Sequence, residues 1–166
     1  MNKSLWDMAG IDGLVVAKHL FGEDVGYLAP FQSMETTLQG KDCSVLRLCE
    51  RNFRISYSDS LQKLIEPIQA NIWLKKFNWL TSLTLSTNFL SQLISQVTVR
   101  PPHRLENIPN HQAVPVQLQD IPFLLWQHPK QGQRLLELHL ACKDRERLVN
   151  KLEITIADLE DVSLEG

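Results

Sequence analysis

Hydrophobic and polar positions alternate most clearly between Ser44 and Ser58. Leu46, Leu48, Phe53, Ile55 and Tyr57 take every second place in two runs separated by Glu50-Arg51-Asn52. Period-two alternation on both sides of a short polar link predicts an antiparallel hairpin with one buried face, leaving Arg47 and Arg54 pointing outward. Upstream, Leu5, Met8, Ile11, Leu14 and Val15 follow helical spacing behind Ser4 as N-cap, so a short helix is predicted over 4–20, weakened by Gly10 and Gly13.

Ser58-Asp59-Ser60 offers N-cap residues ahead of Leu61, Leu64 and Ile65, and Pro67 either kinks the resulting helix or opens a new first turn. From Phe77 to Val99 the chain carries no charge. There Trp79, Leu80, Leu83, Leu90, Leu93, Ile94 and Val97 fall on one helical face, with a break at Ser86 or Thr87 and an extended end at Val97-Thr98-Val99. Two or three consecutive helical pieces are therefore predicted between 59 and 97. About half of the run is polar, so a membrane span is not expected.

Six of the eight prolines lie between Pro101 and Pro129. Interior prolines break helices, so 101–112 reads as a proline-rich loop or arm, and 113–128 as a pair of short strands partly exposed at an edge. Beyond them two patterns compete. Leu136, Leu138, Leu140 and Cys142, then Leu152, Ile154 and Ile156, alternate as strands do. Leu135, Leu138, Cys142, Arg145, Val149, Leu152, Ile156 and Leu159 instead fit a heptad helix that would dimerise, and Lys143 to Leu148 favours helix locally. The pattern as a whole predicts an α+β fold: a single two-layer domain over 1–166, its antiparallel sheet (the hairpin near 44–58 plus C-terminal strands) packed on the helices between 59 and 97. An acidic tail, 158–166, closes the chain.

Composition narrows the function without fixing it. With 166 residues, 43% hydrophobic and 22% charged, the chain has the make-up of one globular domain, which excludes wholesale disorder and a disulfide scaffold. A net charge of −2 gives no global attraction to nucleic acid, and the basic groups Lys75-Lys76 and Lys143/Arg145/Arg147 are short. Cys43, Cys49 and Cys142 are odd in number and no secretory signal precedes them, so free thiols in the cytoplasm are expected.

Candidate chemistry is sparse. The glycines form no phosphate loop, and His19, His103, His111, His128 and His139 form no metal-ligating motif, although His103 and His111 on the arm would be able to converge with His128. No metal, cofactor or catalytic residue is assigned. The expected function is a non-catalytic protein–protein interaction module: an adaptor, chaperone or assembly subunit with a protein partner or a second copy of itself. Trp73, Phe77, Trp79, Leu83, Leu90, Phe123 and Trp126 are the expected partner-binding residues, from the uncharged helical face and the proline-gated strands. The alternative is an apolar-ligand or lipid site between the 79–97 helix and the leucine-rich strands. The third reading is an enzyme with a dispersed site, for which Cys49, His103, His111 and His139 are the titratable residues to test.

Overall fold

The computed structural model describes residues 3–130 and 132–159. The chain folds as two compact units, Met1–Asn78 and Trp79–Gly166. Each is an antiparallel sheet with short helices, so the fold is α+β, as the alternation predicts. No helix among the described residues is long and apolar enough to cross a membrane.

In the first unit the strands β1 (Ser4–Ala9), β2 (Ser33–Leu38), β3 (Lys41–Cys49), β4 (Asn52–Tyr57) and β5 (Trp73–Lys76) form a sheet in the order β2-β3-β4-β1-β5. Trp6 and Met8 of β1, Val45 of β3, and Phe53, Ile55 and Tyr57 of β4 share one face. They pack with Val16, Ala17 and Phe21 of helix α1 (Gly13–Phe21) and with Leu61 and Ile65 of helix α2 (Leu61–Ile65). At about 25 cal/mol per Å² of apolar surface removed from water, such a face is the main term holding sheet and helices together.

The predicted hairpin is β3–β4, with Val45 opposite Ile55 and a bulge between Arg47 and Cys49. Arg47 is a correction. It is buried on the core side, where its guanidinium donates to the carbonyls of Glu50 (2.8 Å), Leu28 (2.9 Å), Gly26 (3.2 Å) and Cys49 (3.3 Å) and lies over the Phe53 ring. The pairing register puts Val45 and Arg47 on the face of Ile55 and Phe53, while Leu46, expected on that face, lies on the other one opposite Arg54, so the side expected for the residues of β3 is reversed.

The helix predicted over 4–20 is also corrected. Its first third is β1, and Ile11 and Val15, which supported the helical spacing, are exposed at 65% and 68%. Gly10 and Gly13 form the turn between β1 and α1. Gly10 has φ +135°, and a Cβ there would meet the Asn71 carbonyl oxygen at 2.7 Å, so the glycines shape the turn and do not dilute a helix.

In the second unit the strands β6 (Leu80–Ser86), β7 (Gln112–Leu118), β8 (Ile121–Lys130) and β9 (Gln133–Ala141) lie in the order β6-β9-β8-β7. One face carries Leu83, Leu85, Val116, Leu125, Leu136 and Leu138, packed against Leu93 of helix α3 (Leu90–Gln96) and Leu148 of helix α4 (Arg145–Lys151). Arg147 of α4 grips Asp120 in the β7–β8 turn, 2.7 Å from each carboxylate oxygen.

The uncharged stretch thus begins as a strand. Between 59 and 97 the helical pieces are α2, a 3₁₀ turn at Thr87–Phe89 and α3, and they are not consecutive: β5 and β6 stand between α2 and the other two. Leu83 and Leu85 alternate with Ser82 and Thr84, and this local period two prevails over the longer-range spacing that linked Trp79, Leu83 and Leu90. Helix begins at the expected break, where Ser86 Oγ accepts from the Asn88 amide at 3.3 Å.

The C-terminal alternatives divide between them. Leu136, Leu138 and Leu140 belong to β9, 145–151 is helix, and the continuous heptad helix does not form. Leu152 and Ile154 lie beyond α4 outside any strand, although both are buried. Most of the expected acidic tail, 160–166, lies outside the described residues.

Prolines sit inside these strands without breaking them. β8 pairs with β7 through residues 121–127 and with β9 through residues 124–130. Pro122 therefore lies where β8 has only β7 beside it, and Pro129 where it has only β9. Hairpin alternation points the Pro122 nitrogen away from β7 and the Pro129 nitrogen away from β9, so neither removes a ladder hydrogen bond. The outer edge of β7 is closed at one point, where Thr98 and Gln117 exchange backbone hydrogen bonds of 2.8 and 3.0 Å.

Candidate functional site

The second face of the four-stranded sheet is polar at its centre, and that is where titratable groups gather. Glu137 on β9 stands opposite Trp126 on β8 and opposite Thr84 on β6. His139 lies two residues beyond Glu137, and His128 two beyond Trp126, so period two brings all five side chains to one face. Glu137 Oε2 is 2.6 Å from His128 Nε2, and Glu137 Oε1 is 3.0 Å from His139 Nε2. The Trp126 ring stacks on His128 with centroids 3.9 Å apart at 18°, and meets His139 edge-on at 5.6 Å and 88°. Lys130 Nζ donates to Thr84 Oγ1 at 3.3 Å beside the cluster.

Trp126, His128, Glu137 and His139 are all buried. A buried carboxyl faces two opposing influences. Burial pushes the Glu137 carboxyl up, but the charge of His139 and the hydrogen bonds from His128 and His139 outweigh it, and the group is held well below the ordinary carboxylate range. An ionised carboxylate only accepts hydrogen bonds, so each imidazole presents an Nε2–H to its own oxygen. The arrangement can keep a negative charge in a water-poor setting and pass a proton from one ring to the other through the carboxylate.

Sequence reading named His139 and Trp126 separately and missed Glu137. The signal was present in Leu136-Glu137-Leu138-His139, where polar residues at spacing two interrupt an apolar strand. Its meaning depends on His128 across the hairpin, and that register is invisible in the sequence.

Of the residues expected to bind a partner, Leu83, Phe123 and Trp126 are buried, the first two in the leucine-rich core. Phe77 and Leu90 are half-buried; Trp73 and Trp79 are exposed at 57% and 50%. Because 79–86 is not helical, the single apolar helix face that was to unite Trp79, Leu83 and Leu90 does not exist. Of the four titratable residues named for a dispersed site, His139 joins the cluster, while Cys49 is exposed on β3 and His103 and His111 lie on the arm and at its end. His128 pairs with Glu137. No group of three or more His, Cys, Asp or Glu among the described residues is arranged to hold a metal ion.

Two concavities lie along the arm. One, of about 260 Å³, is lined by Ile94, Val97, Val99 and Leu105 with Arg104 and Glu106. The other, of about 470 Å³, runs between 98–103 and β7.

The sequence matches no family model and no curated protein. The fold has solved counterparts. It is similar to aminomethyltransferase T of the glycine cleavage system from Bartonella henselae, at TM-score 0.70 and 15% identity, over 90% of this chain and 43% of that one. It is also similar to a chain of the heterotetrameric sarcosine oxidase from Corynebacterium sp. U-96, at TM-score 0.61 and 16% identity, over 90% of this chain and 77% of that one. The chain thus spans less than half of the transferase. These likenesses establish the fold, and they correct the expectation of a non-catalytic adaptor or chaperone: this is a fold that enzymes use.

Proposed function

We propose that the chain is a component of a multi-subunit enzyme acting at the bond between an amino nitrogen and a one-carbon unit on a small amino acid. One observation carries the reading. Two enzymes share the fold over 90% of this chain, and by their names one transfers an aminomethyl group in glycine cleavage while the other oxidises sarcosine, N-methylglycine. Both names concern a bond between nitrogen and a one-carbon group, in an aminomethyl group for the first and in an N-methyl group for the second. The sarcosine oxidase is a heterotetramer, which supports partners of unlike sequence for this chain. Exposed free thiols at Cys49 and Cys142 support a reducing, cytoplasmic setting.

The test is to recover the chain from its source cells with whatever accompanies it and to assay turnover of sarcosine and glycine. Expected are one or more unlike subunits and formaldehyde release or aminomethyl transfer that disappears from cells lacking the chain. Unchanged turnover of both amino acids in those cells would overturn the proposal.

A further inference from the structure

We propose, independently of the enzyme reading above, that one end of the first unit is the contact surface of a homodimer, where a second copy of this chain packs about a twofold axis. Among the described residues, Ile11, Val15, Tyr27 and Trp73 are the large apolar side chains that the first unit leaves exposed, Tyr27 at 85%.

These four come from separate stretches of chain, and backbone pairing gathers the stretches at the same end of the sheet. Ala9 stands opposite both Asn52 and Trp73, so the β1–α1 turn, the β3–β4 turn and the start of β5 lie side by side. The Asp12 amide donates to the Asn71 carbonyl at 3.2 Å and the Asn71 amide to Asp12 Oδ2 at 2.7 Å, which ties the turn carrying Ile11 to the residues ahead of Trp73. Val15 follows Ile11 by four positions, in the first turn of α1. On the β3 side, the Arg47 guanidinium holds the carbonyls of Gly26 and Leu28, which flank Tyr27, together with those of Cys49 and Glu50 at the β3–β4 turn. Tyr27 thus stands to one side of that turn, and Ile11, Val15 and Trp73 to the other. From β3 to β5 the row covers three strand spacings, about 14 Å.

Size and charge both suit a second copy. Two aromatic and two branched side chains exposed to this degree leave on the order of 500 Å² of surface in water, near the upper end of what a monomer shows in one patch. Two such faces together supply about the 1,000 Å² that a specific interface needs. The turn in the middle carries Glu50 and Arg51, adjacent, opposite in charge and both exposed. A twofold axis through it sets Glu50 of each copy against Arg51 of the other, and Tyr27 of each against Ile11, Val15 and Trp73 of the other. That is the self-complementarity an isologous contact requires. The hydrogen bonds that assemble the face are already made in the single chain, so dimerisation spends little on ordering it.

Sedimentation velocity on the full chain across the micromolar range is the test, with circular dichroism to show that each variant folds. A reversible dimer is expected, weaker as salt is raised. Val15→Lys sets an unpaired charge in the apolar part of the contact and should weaken the dimer at least about tenfold. Glu50→Arg or Arg51→Glu alone brings like charges together and should weaken it by about the same factor, while E50R/R51E restores the pairing and recovers most of the loss. A chain that stays monomeric throughout the range, a dimer unmoved by V15K, or a double swap no better than either single one would each overturn the proposal. So would an unlike subunit that accompanies the chain from its source cells and is lost with V15K, if the chain by itself is monomeric.

Discussion

At the scale of single residues, the sequence shows which side chains are polar but not what they meet. Glu137 and Arg47 both stand in runs that alternate with apolar residues, and both are buried because partners arrive from elsewhere: two imidazoles for one, four carbonyls for the other. Neither set of partners is local enough to be read in advance. Replacing Glu137 by Gln removes the charge and puts an N–H donor against imidazole N–H groups. A loss of about 2 to 4 kcal/mol is expected, seen as a lower urea midpoint at unchanged slope. The pH dependence follows from the depressed carboxyl. Unfolding returns Glu137 to about 4.3, so its ionised form stabilises the fold above that value, and the contribution fades as pH falls toward the lower folded-state value. The stability gap between wild type and E137Q should therefore shrink as pH falls below about 5; a gap that widened in acid would contradict this account. The cysteines make a second case. Burial pushes the Cys43 thiol up to about 12, with Glu35 adding to the rise and Lys3 opposing it, while Cys49 and Cys142 are exposed. A thiol reagent on native protein should modify two cysteines promptly and the third only on unfolding. Three equally fast thiols would count against the first unit's packing.

At the scale of elements, legibility tracks whether one local pattern acts alone. The β3–β4 hairpin was readable because alternation and its polar link agree. β6 was not, because Leu80 and Leu83 satisfy a helical spacing and Leu83 and Leu85 a strand spacing at once, and pairing with β9 decides between them. β1 was lost the same way, since Leu5, Met8 and Ile11 mimic a helix while Trp6 and Met8 make the strand's core face. The turn after β1 offers a test in which helix propensity and packing predict opposite signs. Gly13 opens α1, where alanine would ordinarily favour helix by about 1 kcal/mol. A Cβ at that position would lie 2.4 Å from the Arg51 carbonyl oxygen in the β3–β4 turn. Gly13→Ala is expected to destabilise by about 1 to 3 kcal/mol, measured by thermal or urea unfolding; an increase in stability would show that the turn yields.

At the scale of the whole molecule, average composition concealed the division into two sheets, each with its own apolar core, because nothing in 43% hydrophobic content says how many faces share it. Function was least legible for a related reason: the adaptor reading rested on missing local motifs, an uncharged helical face and a proline-punctuated edge, whereas the Glu137 cluster is assembled between strands and the likeness to the folds of two enzymes appears only in three dimensions. The second sheet also carries its own safeguard. A one-residue shift of β8 would exchange its leucine face for the Trp126–His128 face. A two-residue shift would preserve the faces, and such shifts are the harder ones to exclude. The stretch of β8 with a neighbour on both sides is 124–127, and Pro122 and Pro129 stand two positions outside it at either end. Sliding β8 by two in one direction draws Pro122 into the doubly bonded stretch, and sliding it by two in the other draws in Pro129. Each move forfeits a backbone hydrogen bond. The two prolines act as end stops, and the alignment that sets Glu137 between its imidazoles is the one at which neither stop is reached.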